Sequence, residues 1–295
     1  MMAERLPGLL PDMNLEQALE TTAVLSISGN RTISGEGLVL RPPFEAPHHS
    51  ASVSSLVGGG LGMPRPGIIS LANNGVLFLD EAPEFQKPVL EALRQPLESG
   101  EVVINRSGGS AKFPAKFQLV LAANPCPCGN SFGTARSCRC SDQQKNLYMS
   151  KLSGPLLDRV DIRLSINAAS PAQLAQARSQ VAANPGTLGT SARLREVVAD
   201  ARARADKRLK NTPWQINAQV PGAYLRRFLP LPAEVAAKLD GALARGRMSM
   251  RGYDRCLRLA WSIADLAGRD VPNQFDVSKA IFLRGSEDLS MFQNG

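Results

Sequence analysis

Gly75-Val-Leu-Phe-Leu-Asp80-Glu81 decides the fold. A short apolar run bounded by glycine and by charge is the pattern of a strand buried on both faces of a parallel sheet. Its two carboxylates emerge at the C-terminal end. Downstream, Val89, Leu90, Leu93 and Leu97 form one helical face. Val102-Val-Ile-Asn-Arg106-Ser-Gly108-Gly109-Ser-Ala-Lys112-Phe113 then reads as two extended arms around a Gly-Gly turn, a hairpin tipped with basic residues. Phe117 to Asn124 is a second buried strand, and Val160 to Ile166 a third with alternating polarity. Strands separated by helical segments predict an α/β sheet. Upstream, Leu15, Ala18, Leu19, Thr22 and Leu25 repeat at helical spacing after the possible cap Asn14, and residues 29–67 form a long Gly-, Pro- and Ser-rich excursion. Beyond Asn167 the strand signals stop. A basic helix is expected over residues 193–210, its charge marking a solvated face, and further helices are expected at Pro232–Arg245, Arg251–Leu266 and Phe275–Leu283. The predicted domains are 1–168, α/β, and 169–295, helical.

Composition narrows the function classes. With 295 residues, 43% of them hydrophobic, the chain can bury two cores, which excludes disorder as its main state. No run approaches 18 apolar residues, and Glu4, Arg5 and Pro7 stand where a signal peptide needs apolar residues. A cytoplasmic protein without a membrane span is expected. Lys plus Arg is 34 against 26 for Asp plus Glu, a balance of +8 that favours a polyanionic partner such as DNA. Five cysteines in such a chain point to a metal site before a disulfide framework.

Two constellations carry chemistry. Open α/β sheets bind ligands at the carboxyl ends of their strands, so Asp80, Glu81 and Asn124 are expected to share one crevice, with Arg159 preceding the third strand. Phosphoryl transfer uses such parts: a carboxylate for Mg²⁺, a carboxylate or amide to orient water, and an arginine against the developing charge. The second constellation is Cys126-Pro-Cys128 and Cys138-Arg-Cys140, four thiols on one polar loop at 124–141. Zn²⁺ is the favoured ligand, against reduced free thiols or an iron–sulfur site. Cys256 is read as packed core. Adjacent His48 and His49, if extended, point to opposite faces, so a structural or nucleic-acid-facing role is favoured over metal.

At these residues the sequence resembles a known family. Gly75 to Glu81 is similar to a Walker B motif, Asn124 to a sensor 1 residue, and Ser153-Gly-Pro-Leu-Leu-Asp-Arg159 to the arginine-finger segment of AAA+ ATPases. Arg41-Pro-Pro-Phe-Glu-Ala-Pro-His-His-Ser50, Asn124-Pro-Cys-Pro-Cys-Gly129 and Ile263-Ala-Asp-Leu266 resemble the magnesium-chelatase-like AAA+ proteins of the ComM/YifB type. The resemblance implies an AAA+ parallel-sheet base with a helical lid, a hexameric ring, and an ATP-driven, Mg²⁺-dependent motor acting on branched DNA in recombination. By it Asp80 holds Mg²⁺, Glu81 polarises water, Asn124 senses the γ-phosphate, and Arg159 reaches the neighbouring subunit's nucleotide. Arg251 is the sensor 2 arginine, with Arg255 as the alternative. The hairpin with Arg106 and Lys112 resembles a pore hairpin that contacts DNA, and Arg41, His48 and His49 are further candidates for that contact.

The sequence departs from the family at one place. No Gly-x-x-x-x-Gly-Lys-Ser/Thr occurs, and Gly58-Gly59-Gly60 is followed by Leu61-Gly-Met. Family members carry that loop just before a segment resembling Met2 to Pro11. The chain is therefore expected to be truncated just past the phosphate-binding lysine, to lack the strand that feeds the loop, and to be inactive in hydrolysis alone. The rival expectations are a magnesium chelatase subunit that drives Mg²⁺ insertion into a porphyrin, and a non-enzymatic, zinc- and DNA-binding remnant.

Overall fold

A computed structural model describes residues 2–29, 37–60, 63–106, 109–131, 138–166, 171–183 and 191–285. The chain divides into two compact units, Met1–Arg159 and Val160–Gly295, each with its own apolar core. In the first, the strands are β1 Phe44–Glu45, β2 Gly58–Gly59, β3 Arg65–Pro66, β4 Val76–Leu79, β5 Glu101–Arg106, β6 Gly109–Pro114 and β7 Gln118–Leu121. Its helices are α1 Leu15–Ser28, α2 Val53–Val57, α3 Ile68–Leu71, α4 Lys87–Ala92, α5 Arg94–Ser99, α6 Asp142–Ser150 and α7 Gly154–Leu157. The second unit contains α8 Pro171–Ala183, α9 Ser191–Leu209, α10 Gly222–Phe228, α11 Ala233–Ala244, α12 Met250–Leu266 and α13 Gln274–Arg284. The architecture is the expected one, a parallel α/β sheet followed by a helical region.

β4 is the centre of a three-stranded parallel sheet ordered β1-β4-β7, with Phe44 opposite Val76 and Val76 to Leu79 opposite Gln118 to Leu121. Val76, Leu77 and Leu79 are fully buried, each contributing about 1.5–3 kcal/mol as an upper estimate. Gly75 admits the close approach of β1, since a Cβ there would lie 2.0 Å from the Pro43 carbonyl oxygen. β5 and β6 pair antiparallel, and Val102, Ile104 and Phe113 turn inward onto Leu56, Leu90 and Leu93. In the second unit α12 is the spine, burying Tyr253, Cys256, Leu257, Ala260, Trp261 and Ala264 at helical spacing.

Several local expectations change. Val160–Ile166 forms no strand pairing among the described residues; Leu164 and Ile166 are 68% and 69% exposed. Alternation defines two faces, but a strand also needs a neighbour's edge. The sheet's third described strand is instead Phe44–Glu45, inside the segment read as an excursion. On α1 the buried stripe is Ala18, Thr21, Val24, Leu25 and Ser28, while Leu15 and Leu19 face outward. Its cap is as expected: the Asn14 side chain accepts from the Gln17 backbone N–H at 2.9 Å, and Gln17 Oε1 returns the bond at 3.1 Å. The basic helix α9 is not simply a solvated face. Arg208 is mostly buried and pairs with Asp265 in the core of the second unit.

Candidate functional site

Because β1, β4 and β7 run parallel, the segments that follow them leave the sheet at one edge. After β4 come Asp80 and Glu81, both exposed. The Glu81 backbone N–H donates to Asp80 Oδ1 at 3.0 Å, and Glu81 itself is left-handed, with φ 49°. A non-glycine residue there is uncommon and stores some strain. The turn is fixed on the other side by the Ala82 N–H donating to the Ala122 carbonyl at 2.8 Å. That bond sets the end of β7, and so Asn124, beside the end of β4.

After β1 come His48 and His49, whose rings lie 4.0 Å apart. His48 Nδ1 lies 2.9 Å from Ser50 Oγ, and His49 Nδ1 lies 3.8 Å from Glu81 Oε2. The sequence reading missed this neighbour of Glu81. The signal was there, since a strand at Phe44–Glu45 parallel to β4 delivers the following residues to the Asp80–Glu81 edge.

Asn124 is half-buried. Tyr148 of α6 packs beside it and also went unread. Burial, then the negative charges of Glu84 and Glu81, push the Tyr148 hydroxyl above its ordinary value, while a hydrogen bond from the Asn124 backbone pulls the other way. Tyr148 thus lies near the Asn124 backbone, within the field of Glu84 and Glu81.

Arg159 lies at the C-terminal end of α7. Its side chain, only 6% exposed, is held by Glu98 and by the Pro155 carbonyl oxygen. Arg251 is exposed on the first turn of α12 in the second unit, and Arg255 is bonded to Asp161 at 2.5 Å. Lys112 is not at the hairpin tip. It stands opposite Val103 and pairs with Glu101 at 3.1 Å. Arg106 ends β5 opposite Gly109; its side chain and residues 107–108 lie outside the described residues.

The four cysteines converge. Cys126 Sγ lies 3.4 Å from Cys128 Sγ and 3.7 Å from Cys138 Sγ, and all four sulfurs lie within 4.8 Å of one another, with no disulfide among them. A backbone N–H of Asn130 and the neighbouring thiols bring Cys128 down to about 6. At Cys140 the Cys128 backbone N–H acts downward, but Cys128's sulfur, burial and Cys126 push it up to about 11. Such a group is compatible with a tetrahedral metal ion. Cys256 is buried among apolar neighbours as expected, and that burial raises it to about 11. For a hard divalent cation the carboxylate chemistry fits Asp80, which is exposed at the strand end with one oxygen occupied by the Glu81 N–H.

Strand-end carboxylates on a parallel sheet, followed in the chain by a unit whose described elements are helical, define the class: an α/β module with a helical second unit. A family model described as "Magnesium chelatase, subunit ChlI" matches residues 1–174, and one described as "Magnesium chelatase, subunit ChlI C-terminal" matches residues 189–284. The chain belongs to this magnesium chelatase family. It is 44% identical to the competence protein ComM of Haemophilus influenzae over 96% of this chain and 53% of that protein. It is 39% identical to the uncharacterized protein YifB of Escherichia coli over 98% of this chain and 54% of that protein. A magnesium-chelatase 38 kDa subunit of Rhodobacter capsulatus is 38% identical over 21% of this chain and 17% of its own length. The chain thus spans about half the length of the ComM and YifB relatives. No helix among the described residues is long and apolar enough to cross a membrane.

Proposed function

We propose that the chain supplies one half of an ATP-hydrolysing site in a DNA-acting ring motor. The observation that carries this reading is the exposed pair Asp80 and Glu81 at the carboxyl edge of a parallel sheet, one strand from Asn124. Asp80 would hold Mg²⁺, which when bound offsets phosphate charge. Glu81 orients the attacking water and takes its proton, and His49 steadies the Glu81 carboxylate. Asn124 presents its amide to the terminal phosphate. Arg159 serves a neighbouring subunit of a hexamer, exchanging Glu98 for phosphate, and Arg251 serves from the helical unit, since Arg255 is committed to Asp161. Zn²⁺ is the ion proposed for the four cysteines.

For the partner, the excess of cations and the basic hairpin favour sequence-independent DNA contact, with Arg106 and Lys112 on phosphates. The Haemophilus relative's name, a competence protein, agrees with that choice. The 61-residue match to a magnesium-chelatase subunit favours a second reading, a chelatase ATPase.

The test is ATP turnover by the chain alone and by the chain combined with a fragment carrying Gly-x-x-x-x-Gly-Lys-Ser/Thr and its strand. The chain alone is expected to be inactive, because the lysine and amides that grip phosphate are missing from its 295 residues. The combination is expected to turn over and to respond to DNA. Turnover indifferent to DNA but coupled to metal insertion into a porphyrin selects the chelatase. Robust hydrolysis by the chain alone, lost in Glu81→Gln, moves the phosphate site to Gly58–Arg65. DNA binding without turnover in any combination leaves a non-enzymatic DNA-binding module.

A further inference from the structure

The four-cysteine group lies at the neck of a loop that begins and ends at the candidate site. Cys126 follows Asn124 by two residues. Cys140 immediately precedes Ser141, the N-cap of α6, whose Oγ accepts from the Gln144 N–H at 3.2 Å while Gln144 Oε1 accepts from the Ser141 N–H at 2.9 Å. The seventh residue of that capped helix is Tyr148, buried and near enough to the Asn124 backbone for that group to act on its hydroxyl. The chain therefore departs from Asn124 and returns to it.

We propose that Cys126, Cys128, Cys138 and Cys140 bind a single Zn²⁺ that clips this neck shut and so fixes Asn124 against α6. The distances fit one ion. Four thiolates about 2.3 Å from a central zinc form a tetrahedron with edges of about 3.8 Å, and the closest described separations are 3.4, 3.7 and 3.7 Å. A disulfide needs about 2.05 Å, which the pairs do not approach. An iron–sulfur cluster distributes its cysteines over separate irons and spreads them more widely than the 4.8 Å limit found here.

The first Cys-x-Cys arm runs beside Asn124. Its turn is closed by the Gly129 N–H donating to the Cys126 carbonyl at 3.0 Å, with Gly129 at φ 72°. A Cβ on Gly129 would touch the Asn124 amide at 3.9 Å. The second arm feeds the capped helix. Joining the arms through one ion makes the order of the neck that of the metal site. Asn124 is a positioned residue in this scheme and the cysteines are its positioning residues. The clip is independent of hydrolysis and is testable on the chain as it stands.

The chain is purified under reducing, anaerobic conditions without added zinc, and its metal is measured by mass spectrometry. About one zinc per chain is expected, and replacement by Co²⁺ is expected to give the visible absorption of a tetrahedral thiolate site. Cys126→Ser with Cys140→Ser should lose both. A strong chelator should then raise amide hydrogen exchange at Asn124 and in the first turn of α6 by about tenfold or more while leaving Val76–Leu79 unchanged. Less than about a tenth of an equivalent of metal, or iron in place of zinc, overturns the site. Full zinc occupancy with unaltered exchange at Asn124 after chelation overturns the clip. If the double variant fails to fold, the metal content and Co²⁺ spectrum of the parent chain still decide the first point and chelation the second.

Discussion

The two units treat their carboxylates in opposite ways. In the helical unit Asp265, 1% exposed, accepts from Arg208 through both oxygens at 2.7 Å and from Asn217 Nδ2 at 2.8 Å, and its backbone carbonyl accepts from Arg204 at 3.2 Å. The Arg208 guanidinium also lies over the Trp261 ring, 4.4 Å from its centre. In the α/β unit Asp80 and Glu81 stand exposed at a strand end, their described contacts limited to a neighbouring backbone N–H and a histidine 3.8 Å away. A buried carboxylate with its lone pairs consumed is architecture. An exposed one with spare acceptor capacity, on a strained backbone, is available to a ligand.

The largest expected effect breaks the architectural side. Asp265→Ala strands the buried Arg208 and should cost about 3–5 kcal/mol. Replacing both Arg208 and Asp265 by apolar residues of similar volume should cost much less than that. Both tryptophans of the chain, Trp214 and Trp261, lie in the helical unit, so their fluorescence during urea unfolding reads this unit directly. A cost below about 1 kcal/mol for Asp265→Ala would place the pair among surface bridges and dissolve the contrast.

The other side should behave inversely. Glu81→Gln is expected to change stability by less than about 0.5 kcal/mol while lowering turnover of the completed site about 100-fold or more, roughly 2.7 kcal/mol in the barrier. His49→Gln should lower turnover less, about tenfold, by loosening the carboxylate it faces. Steady-state rates and urea midpoints on the same preparations test both. A large stability loss in Glu81→Gln would make that residue structural. Smaller still is the hairpin effect: with Arg106→Ala and Lys112→Ala together, the slope of log affinity for DNA against log salt should flatten by about 1–2. An unaltered slope assigns the contact to another surface.

The same contrast explains what the sequence revealed. Gly75 to Glu81 is legible because composition alone marks it: apolar residues ended by glycine and by charge. α12 and α13 are legible because their cores repeat at helical spacing. Phe44–Glu45 is too short to carry a period, so β1 stayed hidden inside the 29–67 segment, and with it the placement of His49. On α1 the buried stripe includes Thr21 and Ser28, satisfied by the Asn73 and Leu25 carbonyls, so counting apolar residues selected Leu15 and Leu19 instead. Arg159 and Glu98 are 61 positions apart, and Arg208 and Asp265 are 57 apart. No local pattern announces such pairs. The Cys-x-Cys arms are the exception among long-range features, because four thiols on one loop have few uses.

The smallest prediction concerns a carboxylate of intermediate kind, Glu20 on α1. Its Oε2 accepts from Asn73 Nδ2 at 2.9 Å and Asn74 Nδ2 at 3.1 Å, and Lys116 Nζ lies 3.4 Å from Oε1. Asn73 Oδ1 accepts from the Lys116 N–H at 2.8 Å, and the Asn74 N–H donates to the Lys116 carbonyl at 2.6 Å. Glu20 therefore ties the turn before β4 to the turn before β7 and helps set their register. Partial burial raises its pKa, but the two asparagines and Lys116 together outweigh that, and the net shift is downward from 4.5. A folded value below the unfolded one means that the ionised form stabilises the unit. That stability is present above pH 4.5 and is lost as pH falls through the depressed folded value. Because the side chain is about a third exposed, the gain is at most about 1 kcal/mol. Glu20→Gln should lower hydrogen-exchange protection of Val76–Leu79 slightly at neutral pH, and parent and variant should converge in acid. If the difference persisted unchanged into acid, the amide network rather than the charge would be holding the two strand starts together.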